Sequence, residues 1–318
     1  MLPEISIVIP THKRETLLKL LLDSILDQTV NWSKFELIVV DNYPEPYKPT
    51  HELCKSGAYS ALNLICVNDP VLGSSEARNF GMRLAKAPWV AFIDDDEKLP
   101  AHWVERALEI AQNQEPDIFG GPYHPYYLDP RPSWFKDQYL TLTLGKEKGW
   151  VENERWLFGG NIVFKKAWLD RLEGFSLKYG RTGHNKEYGE ETEIQMRARQ
   201  KGAKFYFDPD LYIFHYVHPE RLHPGWFMTS SWYHGKAKAR MAEEEETSLP
   251  GGLRFSLSRF RKLVRDAWSV ACKYARLPFR DHKAAPFSEN YLVQTIAPAV
   301  SVLSMSYYLF VFSLKRKG

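Results

Sequence analysis

Short apolar runs alternate with stretches of helical periodicity through most of this chain, and that alternation limits its fold more than any other feature. The runs "EISIVIP" (4–10), "FELIVVDN" (35–42), "LNLICVN" (62–68), "WVAFIDDD" (89–96) and "DIFGGPY" (117–123) are short, and most are rich in β-branched residues, so they read as buried strands. Between them, "RETLLKLLLDSILDQT" (14–29), "SSEARNFGMRLAKA" (74–87) and "LPAHWVERALEIAQN" (99–113) read as helices, the first with leucines and Ile25 at helical spacing. Strand and helix in this order predict an α/β fold, a mostly parallel, Rossmann-like sheet flanked by helices and joined by right-handed crossovers. Further on, "GGNIVFKK" (159–166) predicts a strand, "YGEETEIQMRARQKGA" (188–203) a helix, and "KFYFDPDLYIFHYVHPER" (204–221) two short strands. The aromatic, proline-rich stretch 122–158 predicts a loop or insertion over the sheet edge, and 221–242 an aromatic helical segment. No internal repeat occurs.

The sequence predicts a domain over 1–242, a linker at "EEEETSLPGG" (243–252) and a C-terminal helical extension over 253–318. With 318 residues, 44% of them hydrophobic, the chain can bury a sizeable core. Its net charge of +3 is uneven: residues 251–318 hold twelve Lys/Arg against three Asp/Glu, +9, which leaves −6 on residues 1–250. In the extension Leu253, Leu257, Phe260, Val264, Trp268, Ala271 and Ala275 share one helical face, with Arg254, Arg261, Lys262 and Arg265 on others. Residues 291–314 carry no charge and precede "KRKG", a length that suits a membrane span, although Gln294, Pro298 and several serines weaken the pattern. A basic tail meets something negative, and in the absence of a nucleic-acid reader motif a lipid surface fits it better than nucleic acid. The same helices are also compatible with packing on the first domain or on a second subunit, as a homo-oligomer. The N-terminus enters the first strand with no charged segment and long apolar stretch before it, so no signal peptide is expected. Cys54, Cys66 and Cys272 are odd in number and form no CxxC, which favours a reducing compartment.

In an open parallel sheet, ligands lie outside the carboxyl ends of the strands. Here those ends read "PTHKR" (10–14), "VDN" (40–42) and "DDDE" (94–97). Three adjacent aspartates, Asp94, Asp95 and Asp96, repel one another unless something offsets their charge. A hard cation such as Mg²⁺ or Mn²⁺ does so, and it typically takes only one or two protein carboxylates and completes its shell with substrate phosphates and water. A nucleotide diphosphate is the matching partner; a solvated turn or an acidic helix start is the alternative. "GSSEARNFG" (73–81) is neither GxGxxG nor GxxxxGK[ST], so it supports neither a dinucleotide cofactor nor a P-loop.

Taken in order, "ISIVIPTHKR", "ELIVVDN", "GSSEARNFG", "VAFIDDD", "GGN" and "YGEETE" resemble the family-two glycosyltransferases of the GT-A fold, over roughly residues 4–218. The resemblance implies an inverting enzyme that moves a sugar from a nucleotide-diphosphate sugar to an acceptor hydroxyl, with a nucleotide-sugar half at about 1–121 and an acceptor half at about 122–242. It implies a metal held by Asp94 and Asp96, with Asp95 between them at the donor. Asp41 would contact base or ribose, Arg78 the nucleotide, and Thr11 and Arg14 the same pocket. The carboxylate cluster at 190–193 would supply the general base, Glu191 by position, in a family where aspartate is commoner there; Glu190 and Glu193 are the alternatives. His215 would complete the metal shell, with His218 its neighbour. Gly160 and Asn161, with Gly159, match the acceptor-side motif. Trp134, Trp150, Trp156 and Trp226 are candidates for stacking on sugar rings. Lipid-linked or glycan acceptors would place the chain in the cytoplasm, at the cytoplasmic face of a membrane. A sugar nucleotidyltransferase is the rival enzyme, disfavoured because "PTHKRET" has no glycine, and a non-catalytic sugar-nucleotide or membrane scaffold is the rival of another class.

Overall fold

The computed structural model describes residues 2–152, 155–180, 189–248 and 288–315, arranged as two compact units. The first unit comprises Met1–Tyr126 and Leu140–Tyr216, and the second Tyr127–Tyr139 with the chain from Val217 onward.

An eight-stranded sheet forms the frame of the first unit. Its strands are β1 (Ile5–Thr11), β2 (Phe35–Asp41), β3 (Leu64–Asn68), β4 (Trp89–Phe92), β6 (Ile118–Gly120), β8 (Gly149–Trp150), β9 (Ile162–Lys165) and β10 (Phe205–Phe207), in the spatial order β3-β2-β1-β4-β9-β6-β10-β8. The sheet is parallel through β3, β2, β1 and β4. β9 runs antiparallel to both β4 and β6, and β8 antiparallel to β10. A second sheet joins β5 (Glu97–Lys98), β11 (Ile213–Tyr216) and β7 (Tyr123–Tyr126) in the order β5-β11-β7.

The apolar runs behave as two-sided strands because helices cover both faces. Ile5, Ile7, Ile9, Leu37 and Val39 point into one core with Leu18, Leu21 and Ile25 of α1 (Glu15–Leu26) and Trp103, Val104 and Ala107 of α4 (Trp103–Asn113). The alternate residues Val8, Ile38 and Val40 point into the other, against Ala77 and Met82 of α3 (Ser74–Leu84), Leu169 of α5 (Lys166–Arg171) and Ile194 and Ala198 of α6 (Glu190–Gln200). Each fully buried aliphatic side chain of this kind contributes about 2 kcal/mol by removal from water. The sequence missed α2 (Lys48–Cys54) and the short strands β5, β7 and β8, which are too brief to show periodicity.

In the second unit, α7 (Pro224–Ser248) packs along α9 (Ala297–Lys315), which follows α8 (Ser288–Tyr291) and a π-helical turn over Leu292–Ile296. The helices touch at Gly235, where any Cβ would overlap the carbonyl of Ser301, and Ser304 Oγ donates to the Trp232 carbonyl at 2.6 Å. Pro298 closely follows the π-helical turn, where the absent proline N–H interrupts the i→i−4 ladder of a helix that is otherwise continuous from Ser288. The predicted linker is partly helical: α7 runs on through Ser248, because glutamate is a good helix former and "EEEE" continues the helix. The units accordingly divide at Val217 rather than near 243. The basic amphipathic helix predicted over 253–275 lies outside the described residues.

Gly81 shows how closely α3 sits on the sheet. A Cβ there would overlap Val8 Cγ1 and come within 3.2 Å of Val40 Cγ2. Gly81→Ala should therefore destabilise the protein by about 1–3 kcal/mol in urea denaturation, since packed valines cannot swing aside. Gly57→Ala, with nothing within 4 Å of the added atom, should stay within about 0.5 kcal/mol of the parent.

Candidate active site

The carboxyl ends of β1, β2 and β4 meet on one edge of the sheet. Thr11 and Asp41 are register partners at the ends of β1 and β2, and the aspartate triplet follows β4 directly. The three aspartates take three different environments. Asp95 is buried, accepting from Thr11 Oγ1 at 2.8 Å and from Arg14 Nη1 at 3.1 Å. Burial and the adjacent Asp96 push its carboxyl up to about 7, against the pull of Arg14. Asp96 is also buried, with Arg14 Nη1 at 3.3 Å and His215 Nε2 at 3.5 Å. Asp94 is the open one, with its side chain 34% exposed, and Arg78 Nη2 donates to it at 2.8 Å.

Arg78 joins this triplet to the start of α6. Its guanidinium is buried on α3, and Nη1 donates to Glu190 Oε1 at 3.0 Å while Nη2 holds Asp94. Burial alone would lower its pKa, but the charges of Asp94 and Glu190 outweigh that and raise it. Ser74 Oγ donates to the same Glu190 oxygen at 3.1 Å. Glu190 is thus neutralised by its partners, whereas burial and the charge of Glu190 push Glu191 up to about 7. Glu193 is taken up by Arg197, one turn along α6, at 2.6 Å.

The turn before β9 faces these groups. A Cβ on Gly159 would lie 3.1 Å from Glu191 Cβ, and one on Gly160 would overlap the Glu97 carboxyl. Gln195 of α6 anchors the approach to this turn by accepting from Leu157 N–H at 2.8 Å and donating to its carbonyl at 3.0 Å. Asn161 departs from the sequence expectation. It is fully buried; its Oδ1 accepts from Trp103 Nε1 at 3.0 Å and its Nδ2 donates to the Leu211 carbonyl at 2.6 Å, so it ties β9 to its surroundings and offers nothing to an acceptor. Sequence shows a polar residue after glycines but not which side of the backbone it takes.

Asp41 is fully buried. One oxygen accepts from Tyr47 N–H at 2.6 Å and faces His51 Nε2 at 3.1 Å; the other, Oδ1, has no hydrogen-bond partner among the described residues. Beside it stands a group the sequence did not suggest, Lys13 with its ammonium 3.8 Å from the centre of the Tyr43 ring and Tyr47 edge-on to Tyr43. The signal available was the pair of tyrosines just after β2. Of the four tryptophans, Trp150 is exposed, Trp156 lies under the Arg199 guanidinium at 4.5 Å, and Trp134 and Trp226 pack on Phe135 and Phe227 in the second unit. His218 also belongs to the second unit.

Acidic loops thus gather at the carboxyl edge of a mostly parallel sheet, with Glu190 and Glu191 at the start of α6 linked to them through Arg78. Residues 6–173 match the model of glycosyl transferase family 2, and the chain belongs to that family. It is a glycosyltransferase, which decides against the nucleotidyltransferase and scaffold alternatives. The glucosyl-dolichyl phosphate glucuronosyltransferase of Haloferax volcanii is 27% identical over 247 residues, 75% of this chain and 77% of that one. The succinoglycan biosynthesis protein ExoM of Rhizobium meliloti is 24% identical over 281 residues, 86% and 82% of the two chains. The mannosyltransferase PcManGT from Pyrobaculum calidifontis, solved in complex with GDP-Man and Mn²⁺, superposes with a TM-score of 0.62 at 16% identity, covering 98% of this chain and 88% of that one, so the fold is GT-A.

Removing the Arg78 bridge leaves buried carboxylates unpaired. Arg78→Met should cost about 3 kcal/mol of stability at pH 8. An unpaired buried carboxylate is penalised in its charged form, so the penalty should shrink as pH falls. Chemical denaturation at pH 8 and pH 5.5 checks both the size and the sign.

Proposed function

We propose that the chain transfers a glycosyl group from a nucleotide-diphosphate sugar to an acceptor hydroxyl with inversion at the anomeric carbon. One observation carries this reading: Arg78 ties an acidic donor-side turn to a helix start where one glutamate is neutralised and its neighbour, Glu191, titrates at about 7. That is the range in which a carboxylate is both available and basic enough to take a hydroxyl proton at neutral pH.

The residues present fit a divalent cation. Among the described residues no cluster of three metal-binding side chains occurs, yet Asp96 and His215 face each other, one carboxylate and one imidazole. A cation that keeps substrate phosphates and water in its shell needs no more from the protein, and the imidazole favours Mn²⁺ over Mg²⁺. Asp96 and His215 would hold it, with Asp94 beside them, and when bound it would supply Lewis-acid stabilisation of the departing diphosphate. Arg14 has a side chain 41% exposed and leans on Asp95 and Asp96, from where it can turn toward phosphate oxygens. Thr11 keeps Asp95 in place. Tyr43, Tyr47 and Lys13 offer ring faces and a cation suited to a nucleobase or ribose, while the buried Asp41 accepts from the Tyr47 N–H and so fixes that loop.

Glu191 accepts the acceptor hydroxyl proton as that oxygen bonds to the anomeric carbon from the face opposite the phosphate. The carbon–oxygen bond to the diphosphate breaks, and the electron pair leaves with the nucleoside diphosphate. Glu190 stays on Arg78 and does not compete for the proton. Gly160 and Asn161 position the turn before β9 rather than meeting the acceptor themselves.

Glu191→Gln should spare donor binding and lower transfer by about 10²–10⁴-fold, whereas Asp96→Ala should weaken Mn²⁺-dependent donor binding. In the parent enzyme the rate should rise with pH through about 7 and level off above it, because only ionised Glu191 can take the proton. Nucleoside diphosphate release from a panel of UDP- and GDP-sugars, followed from pH 5.5 to 9, measures both. Equal loss of donor binding in the two variants would contradict these roles.

The second unit favours an acceptor held at a membrane, lipid-linked or a growing glycan, on the cytoplasmic face. The segment Leu292–Leu309 has a mean hydropathy of 1.3 and is only 24% buried. Leu303 and Tyr307, one turn apart on α9, are 63% and 54% exposed, and Lys315, Arg316 and Lys317 follow in the sequence. The double variant Leu303→Glu, Tyr307→Glu should lose most co-sedimentation with vesicles containing anionic lipid while releasing nucleoside diphosphate at the parent rate.

A further inference from the structure

We propose that Glu97, which the sequence pattern assigns no role, is a positioning residue that locks the aspartate triplet to the Gly159–Gly160 turn, so that the donor side and the base side of the site keep one geometry. The proposal rests on the glycosyl-transfer reading above.

Glu97 is fully buried, where a carboxyl costs far more than a leucine unless its oxygens are used. Its Oε2 accepts the backbone N–H of Asp94 at 2.9 Å, and its own N–H donates to the Asp94 carbonyl at 3.3 Å. That reciprocal pair closes residues 94–97 into one turn, and the turn aims Asp94 at Arg78 and Asp96 at His215.

The other oxygen looks the opposite way. Oε1 has no hydrogen-bond partner among the described residues and lies where a side chain on residue 160 would begin. Tyr123 closes the same space: its hydroxyl accepts the Gly160 N–H and would stand 2.8 Å from that added Cβ. Its ring stacks on His215, with centroids 5.6 Å apart and planes at 12°. His215 is in turn the register partner of Glu97 across the antiparallel β5–β11 pair. Glu97, Gly160, Tyr123 and His215 therefore form one buried contact set beneath the aspartates. One residue before it, Gly159 packs against the Glu191 side chain. A shift of the 94–97 turn is passed through Gly160 to Gly159, and so to the base.

This makes Gly160 a glycine for a reason separate from acceptor access: a methyl group there displaces the Glu97 carboxyl. The two positions should consequently be coupled, which a double-variant cycle reads directly. The probes are Mn²⁺ alone, titrated by the loss of its free electron-paramagnetic-resonance signal, and steady-state release of nucleoside diphosphate from the best UDP- or GDP-sugar.

Glu97→Ala should weaken Mn²⁺ binding about tenfold, raise donor KM and lower kcat about 10²-fold, whereas Glu97→Gln, which keeps the acceptor for Asp94 N–H, should recover most of each loss. Gly160→Ala should reproduce the Mn²⁺ defect, and adding it to Glu97→Ala should cost less than twofold more. Its single methyl group also serves if Glu97→Ala fails to fold. Parent-like Mn²⁺ binding and kcat in Glu97→Ala, equal defects in Glu97→Ala and Glu97→Gln, or additive effects of Glu97→Ala and Gly160→Ala would each overturn the assignment while leaving the transferase reading standing. A parent protein that binds no Mn²⁺ and releases no nucleoside diphosphate would overturn both.

Discussion

The site depends on one buried cation shared between two acidic segments. Asp94 follows β4 and Glu190 opens α6, almost a hundred residues later in the chain, and the Arg78 guanidinium lies between them within hydrogen-bonding distance of each. Around them stand Asp95, Asp96, Glu97 and Glu191, with Arg14 as the other arginine in contact with the triplet. Carboxylates brought this close inside a protein stay ionised only where a positive charge is near, and otherwise take up protons. The enzyme uses both outcomes. Arg78 pairs with Asp94 and Glu190, while burial and a neighbouring carboxylate push Asp95 and Glu191 up to about 7. A site arranged in this way gathers more carboxylates than arginines, a balance that a divalent cation would offset.

The frame that brings these groups together was legible in the sequence because its strands are buried on both faces. Such strands read as continuous apolar runs, and "ISIVIP" and "ELIVVD" need no neighbour to be recognised. The antiparallel insertion of β9 between β4 and β6 was not legible, since a strand's direction is set by connections that composition does not encode. β5, two residues long, was hidden inside the acidic stretch it belongs to. The reading of "EEEETSLPGG" as a linker rested on its Pro and Gly, but its glutamates are helix formers and extend α7 by another turn.

Within the candidate site, the sequence showed which loops would converge and was less able to say which of their side chains are buried. Thr11, Arg14, the aspartate triplet, Arg78, Glu190 and His215 come together in one connected cluster at the sheet edge, with Glu191 beside Glu190. Asn161 was misread and Glu97 passed over for one reason: a polar residue beside glycines or aspartates looks exposed, and only the fold reveals that both are fully buried. The glycines were read as part of a motif, and the structure supplies a cause for their missing side chains, a glutamate carboxyl or stem in contact range of each.

Two adjacent glutamates of identical chemistry meet different surroundings at the start of α6. Glu190 accepts from Arg78 and Ser74, so its charge is already matched and its lone pairs are engaged. Glu191 feels the same helix start but also the charge of Glu190 next to it, and burial removes the water that would otherwise stabilise its anion. Environments that push the pKa values of neighbouring carboxyls apart assign acid–base roles without any difference in residue type. Gly159 lies close against the Glu191 side chain: a Cβ there would come within 3.1 Å of Glu191 Cβ and 3.2 Å of its Cγ, so the turn before β9 can approach the start of α6 this closely only with glycine at that position.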